Sequence, residues 1–321
     1  MKATETLGLE PTTMKFIEEL TALGGPPIHK LPIPEARAVL EHLQADLKDK
    51  IDVDIEEKVI PTGPDGKLSI TIVRPKNLKG KLPVVMYFHG GGWILGSKNT
   101  HDRLVREIAE GANAAVVFVN FSPSPEAHYP KPIEEAYAAT QYIAENGAEF
   151  NFDPERLAVA GDSVGGNMAA VVAILAKERN GPKIDYQILL YPVTDANFET
   201  PSYKQFAEGP WLTRASMEWF WNAYAPNVAE RKKHTVSPLQ ASIDQLKGLP
   251  PALLITDEND VLRDEGEAYA HKLMQAGVKV TAIRFLGTIH DFLLINALAR
   301  TPAAKGAIEL ISGHLRNIFK V

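Results

Sequence analysis

The sequence predicts an α/β protein: a mostly parallel sheet of eight strands flanked by helices. Three observations carry this. Short apolar runs of strand length occur at residues 82–88, 114–120, 156–160, 185–190, 252–256 and 278–285. Segments with helical periodicity, at 101–111, 132–146, 167–177, 263–276 and 302–319, separate or follow them. Strands alternating with helices of that length imply parallel neighbours joined by right-handed crossovers. Finally, residues 51–60 and 67–74 flank the turn-rich Pro61-Thr62-Gly63-Pro64-Asp65-Gly66, so a hairpin and one antiparallel edge are expected.

Two segments lie outside this alternation. Residues 12–24 and about 34–49 read as short amphipathic helices, separated by Pro26, Pro27 and Pro32. They precede the first strand and need not pack in the sheet. The stretch from Asp195 to about Pro238 holds three of the four tryptophans, together with Phe198, Tyr203, Phe206, Phe220 and Tyr224. Some of those rings must be core. Because ligands in open α/β sheets bind beyond the strand ends, the stretch is also expected to be a lid. The expected division is therefore 1–48 as N-terminal cap helices, 195–238 as a cap insertion, and 49–194 with 239–321 as the main unit.

Composition excludes several classes of function. A net charge of −6 with no basic stripe argues against nucleic acid and anionic membranes as partners. The absence of cysteine excludes disulfides, thiolate metal sites and a cysteine nucleophile, and suits a reducing compartment. Met1-Lys2-Ala3-Thr4-Glu5-Thr6 lacks the apolar core of a signal peptide, and no apolar run approaches the ~18 residues of a membrane span. The expectation is a soluble cytoplasmic protein with no metal or organic cofactor.

The chain is organised around Gly161-Asp162-Ser163-Val164-Gly165, set between a strand and a helix. A serine on such a tight turn has its hydroxyl pushed out beyond the sheet, and the next backbone N–H points from a helix N-terminus at whatever that hydroxyl attacks. Gly161 and Gly165 leave room where strand and helix pack most closely. G-x-S-x-G alone is weak, since a serine N-cap on a buried helix reads the same way. Its partners decide. His89-Gly90-Gly91-Gly92-Trp93 follows a strand directly, and consecutive glycines let backbone amides aim into a site. A phosphate cradle lacks its lysine followed by Ser/Thr, so an oxyanion hole fits better.

A serine nucleophile needs a base. With the order serine, acid, histidine, only His271, His290 and His314 lie downstream. His271 and His314 fall inside expected helices, whereas His290 sits in a loop after a strand. For the acid, Asp260 stands clear of the strand 252–256. Asp257 lies too near the strand end, Glu258 points elsewhere, and Asp264 has a helix-dipole reason to be where it is.

HGGGW at 89–93, GDSVGGN at 161–167, DVLRDEG at 260–266 and HDF at 290–292 together resemble the bacterial hormone-sensitive-lipase-like esterases, a branch of the α/β-hydrolases. The resemblance covers roughly residue 80 to the C-terminus. It implies an α/β-hydrolase fold with a helical cap and a carboxylic ester hydrolase acting on short acyl chains. Ser163 would be nucleophile, Asp260 acid and His290 base, with the amides of Gly91, Gly92 and Val164 as oxyanion hole. Trp93, Asp162, Tyr191, Phe206, Trp211 and Trp219 are the candidate pocket residues. A homodimer through the last strand and helix is also implied. An amidase or another acyl-transfer enzyme with the same triad is an alternative. A non-catalytic receptor is another, although the plant gibberellin receptors, which resemble the family, lack the histidine.

Three positions depart from the family pattern. Val164 stands where alanine is usual and is expected to narrow the acyl side. Phe121-Ser122-Pro123-Ser124-Pro125-Glu126 stands for Y-R-L-A-P-E, so the missing arginine's contacts must be made otherwise. Asp291 follows the histidine where glycine is usual, and would raise the pKa of the base if its carboxylate turned inward.

Overall fold

The computed structural model describes residues 8–45, 50–76, 78 and 80–321. Eight strands form one sheet: β1 (Val53–Ile60), β2 (Leu68–Pro75), β3 (Leu82–Phe88), β4 (Ala115–Val119), β5 (Phe152–Asp162), β6 (Tyr186–Leu190), β7 (Ala252–Asn259) and β8 (Val280–Ile289). Their order across the sheet is β1-β2-β4-β3-β5-β6-β7-β8. β2 runs antiparallel to both β1 and β4, and every other pairing is parallel. The expected hairpin is therefore present, and the parallel part occupies the side that carries the motifs.

Successive side chains on a strand face opposite ways, so each central strand feeds two cores. On one face Val84, Met86 and Phe88 join the larger cluster, which includes residues of α4 (Lys131–Asn146), α5 (Val164–Glu178) and α9 (Arg263–Gln275). On the other, Val85 and Tyr87 meet α3 (Asp102–Ala112) and α10 (Pro302–Phe319). Helices on both faces explain why β3 and β4 are apolar throughout, while the edge strand β1 is exposed along most of its length.

Two helices precede the sheet, α1 (Pro11–Leu23) and α2 (Ile33–Gln44). The end expected for α2 at residues 46–49 lies outside the described residues, as do residues 1–7. The aromatic stretch between β6 and β7 holds α6 (Pro201–Gln205) and α7 (Arg214–Tyr224), and the short α8 (Ile243–Leu246) follows. The main difference from the sequence reading is length. β5, β7 and β8 run several residues further than expected, up to Asp162, Asn259 and Ile289. Polar Asp257-Glu258-Asn259 read as loop. They extend the strand because β8 offers them a ladder, and pairing of that kind is not a local property.

Candidate active site

β5 ends at Asp162 and α5 begins at Val164, so Ser163 alone makes the reversal. It adopts φ 55° and ψ −119°, a region sparsely used by residues with a side chain. The expected close approach is real. A Cβ on Gly165 would lie 1.9 Å from the Phe88 carbonyl oxygen, and one on Gly161 2.2 Å from that of Gly165. The Ser163 amide donates to Leu190, and its carbonyl accepts from Val193 and Asn167, at 2.8–3.1 Å. This backbone is pinned from three directions, which fixes where the hydroxyl emerges.

β7 and β8 are neighbours, and Asn259 pairs with Ile289. The next residues, Asp260 and His290, therefore leave the sheet side by side. His290 Nδ1 lies 2.7 Å from Asp260 Oδ2, and Nε2 lies 2.9 Å from Ser163 Oγ. The other Asp260 oxygen accepts from the Leu262 amide at 3.0 Å. All three side chains are buried. Burial by itself pushes the imidazole pKa down, but the carboxylates of Asp260 and Asp291 outweigh it and hold His290 up to about 9.

The glycine run turns beside this group. Gly91 and Gly92 have φ 101° and 65°, and the Gly91 carbonyl accepts from Ile94 and Leu95. A Cβ on Gly92 would lie 2.0 Å from the Phe220 ring. Val164, as first residue of α5, presents an amide that a helix leaves without an internal partner.

Two supports hold the run. From behind, Asp162 accepts from the Gly90 amide at 3.1 Å and the Tyr87 hydroxyl at 2.6 Å, while its other oxygen lies 3.2 Å from His101 Nε2. Burial raises this carboxyl's pKa, but His101 and Tyr87 more than offset it, and the net shift is downward. From the side, Arg37 of α2 donates to the carbonyls of Ile94 and Ser124 at 2.9 and 3.1 Å, and pairs through both guanidinium arms with Glu126. The loop at 121–126 lacks an arginine of its own, and one from an N-terminal helix ties it instead.

One cavity of about 410 Å³ opens on Ser163, His290, Gly91 and Gly92. Ile17, Leu20 and Leu40 of the N-terminal helices wall one part, and Trp211, Leu212 and Phe220 of the insertion another. Of the six expected pocket residues only Trp211 borders it. Trp93 turns away and stacks on Tyr224 at 4.0 Å, joining the glycine run to α7. Asp162 lies behind the run. Tyr191 packs edge-on to His290 at 5.0 Å and is fully buried. Phe206 is buried beneath Arg263. Trp219 packs its ring against Phe220 at 5.0 Å and does not line the cavity. Val164 is likewise corrected: its side chain belongs to the core and does not narrow the cavity.

The N-terminal segment, expected to cap the site, supplies none of the expected pocket residues, yet α1 and the loop after it, with Pro26, Pro27 and Ile28, line the cavity directly. The apolar side of α1 was a legible signal, but not what it covered. Asp257, Asp260 and His290 bring three ligand-type atoms within 4.8 Å. Both imidazole nitrogens are already engaged, with Asp260 and Ser163.

Residues 85–294 match the family model described as alpha/beta hydrolase fold. A solved thermostable esterase from Pseudomonas putida is 51% identical, with a TM-score of 0.95 over 98% of each chain. An α/β hydrolase of Acanthamoeba polyphaga mimivirus is 44% identical over 310 residues, 97% of this chain and 88% of that protein. A carboxylesterase of Mycobacterium tuberculosis is 40% identical over 276 residues, 85% of each. With this sheet order and this likeness over almost the whole length, the chain belongs to the α/β-hydrolase fold family, in its hormone-sensitive-lipase-like branch, and is a serine hydrolase of carboxylic esters.

Proposed function

We propose that the enzyme hydrolyses short-chain neutral esters by two-step acyl transfer, with Ser163 as nucleophile, His290 as base and Asp260 as acid. The observation that supports this most is the unbroken line of hydrogen bonds from Asp260 through His290 to the Ser163 hydroxyl, ending at a cavity. His290 takes the Ser163 proton as the oxygen attacks the ester carbonyl. The amides of Gly91, Gly92 and Val164 hold the resulting oxyanion. The imidazolium gives its proton to the leaving alkoxide, which departs as the alcohol. Water then attacks the acyl-enzyme by the same route and releases the acid. Asp260 holds the tautomer that leaves Nε2 free to accept, and balances the charge formed.

Substrate class follows from the walls. Apart from His290 and Asp291 they carry no ionisable group among the described residues, and they are mainly aliphatic and aromatic. An anionic ester would meet the Asp291 carboxylate, and no Lys or Arg lines the cavity among the described residues. The helices of 1–48 and the insertion 195–238 act as a cap over a catalytic unit of 49–194 and 239–321. The enzyme works in the cytoplasm, a reading supported by the lack of cysteine; among the described residues no helix is long and apolar enough to cross a membrane. It pairs as a homodimer through β8, which ends the sheet and leaves one edge open, and α10.

The test is a p-nitrophenyl ester series, acetate through decanoate, run beside the matching anilides. Activity should peak at short acyl groups, with esters far ahead of anilides. Ser163→Ala should lower kcat by roughly 10⁴-fold or more and abolish labelling by a serine-directed phosphonate. Full turnover in that variant would sink the assignment.

A further inference from the structure

Asp291 is the one departure from the family pattern that faces the cavity. Its backbone sits at φ 66°, in the left-handed region where glycine is free of strain and a residue with a side chain is uncommon. A residue kept in such a place, beside the base, invites a functional explanation. The side chain makes two contacts. Oδ2 accepts from the indole N–H of Trp211 at 3.0 Å, and Oδ1 lies 3.6 Å from His290 Nε2 with no hydrogen-bond partner. Trp211 in turn packs its ring against Phe16 of α1 at 5.8 Å and walls the cavity. Three segments distant in sequence are linked through the Trp211 ring: the loop of the base by way of Asp291, the insertion that carries the ring, and the first helix by way of Phe16.

We propose that Asp291 is a positioning residue that seats the Trp211 indole in the cavity wall, and so sets how long a chain the site accepts. That role presupposes the triad described above. An indole without this acceptor loses the contact that fixes its ring plane, and the gap between insertion and α1 widens. The hydrogen bond and the charge are separable. An amide oxygen at 291 can still receive the indole N–H, but no longer adds a negative charge beside the imidazole. The other groups facing that imidazole are Asp260 at the exit of β7, Asp162 on the nucleophile turn, Asp257 on β7 and the Tyr191 ring beyond β6.

The experiment compares the full-length enzyme with Asp291→Gly, Asp291→Asn and Trp211→Phe. It reads kcat/KM along the ester series, and phosphonate labelling with alkyl chains of graded length. Asp291→Gly and Trp211→Phe should each raise the octanoate-to-acetate ratio by roughly tenfold, the scale on which an apolar pocket discriminates. Asp291→Asn should keep the ratio within about twofold while the rise of kcat/KM with pH moves about one unit lower. If neither Asp291→Gly nor Trp211→Phe moves the ratio, the proposal fails. If Asp291→Asn moves it as far as Asp291→Gly, the hydrogen bond is not what seats the ring, and the proposal also fails. Wild-type protein that neither turns over an ester nor takes the label would overturn the triad itself, a result distinct from either of these.

Discussion

At the scale of single residues, the site gathers more negative charge than the triad needs. Asp257 is fully buried, neither of its oxygens has a hydrogen-bond partner, and burial together with the nearby Asp260 raises its pKa well above the ordinary value. Such a carboxyl keeps its proton in the fold at pH values where the unfolded chain has lost it, above about 4. Stability then falls as pH rises towards its folded pKa. His290 acts in the same sense. Its folded pKa of about 9 exceeds the unfolded value of ~6.5, so its contribution is complete below ~6.5 and is lost as pH rises through about 9. Loss of that same proton frees the base, so activity should climb while these two groups make the protein less stable. Thermal unfolding across pH should show Tm falling over this interval. Asp257→Asn should match wild type near pH ~4 and gain stability progressively above it. A gain that is constant with pH would mean that Asp257 does not carry the proton.

At the scale of elements, the glycine run proposed as the oxyanion hole depends on a helix far from it in sequence. Arg37 on α2 holds the carbonyls of Ile94 and Ser124 as well as the Glu126 carboxylate. Both charged partners are substantially exposed, 31% and 57%, so the ion pair alone should contribute only about 0–1 kcal/mol. The carbonyl bonds matter more, because they fix the chain just after the glycine run. Arg37→Ala should therefore cost little Tm but lower kcat by about tenfold with a smaller change in KM, since an oxyanion hole acts on the transition state. Arg37→Lys should not restore kcat, because one ammonium cannot reproduce a planar fork bonded to three groups. Wild-type kcat in Arg37→Ala would show that the loop holds itself. Glycines 161 and 165 make a different kind of element-level demand. There, backbone meets backbone, and no rotamer change could make room.

Across the whole molecule, the N-terminal helices are stitched to the C-terminal half by buried polar contacts. Gln44, at the end of α2, donates to the carbonyls of Thr100 and Leu294 and accepts from the Asn296 amide, at 2.7–2.9 Å. Removing that side chain strands three backbone groups in a dry place, at about 1–3 kcal/mol each where water cannot reach. Gln44→Ala should lower Tm by several degrees. The helices that wall the cavity should loosen with it, so the preference for short acyl chains should weaken as well. A Tm equal to wild type would mean that the N-terminal helices are held by apolar packing alone.

The order of strands and helices, the glycine-bounded serine, the glycine run and the histidine of a strand-end loop could all be read from the chain itself, because each depends on local pattern: period, turn chemistry and spacing. Asp260 and His290 were legible for the same reason, as residues just beyond apolar strands. What lines the cavity was not. Trp93, Tyr191 and Phe206 looked suited to a ligand and are packed inward, whereas Ile17, Leu20 and Phe220 reach it. A ring's direction depends on which neighbour covers it, and those neighbours, Tyr224 over Trp93, His290 beside Tyr191 and Arg263 over Phe206, come from elements far off in the chain. The substitute for the missing arginine was hidden likewise: Arg37 could be seen as a charge on a helix, but only the packing of that helix against the loop at 121–126 gives it a partner. Local chemistry is written in neighbouring residues, and access to it is decided by contacts between distant ones.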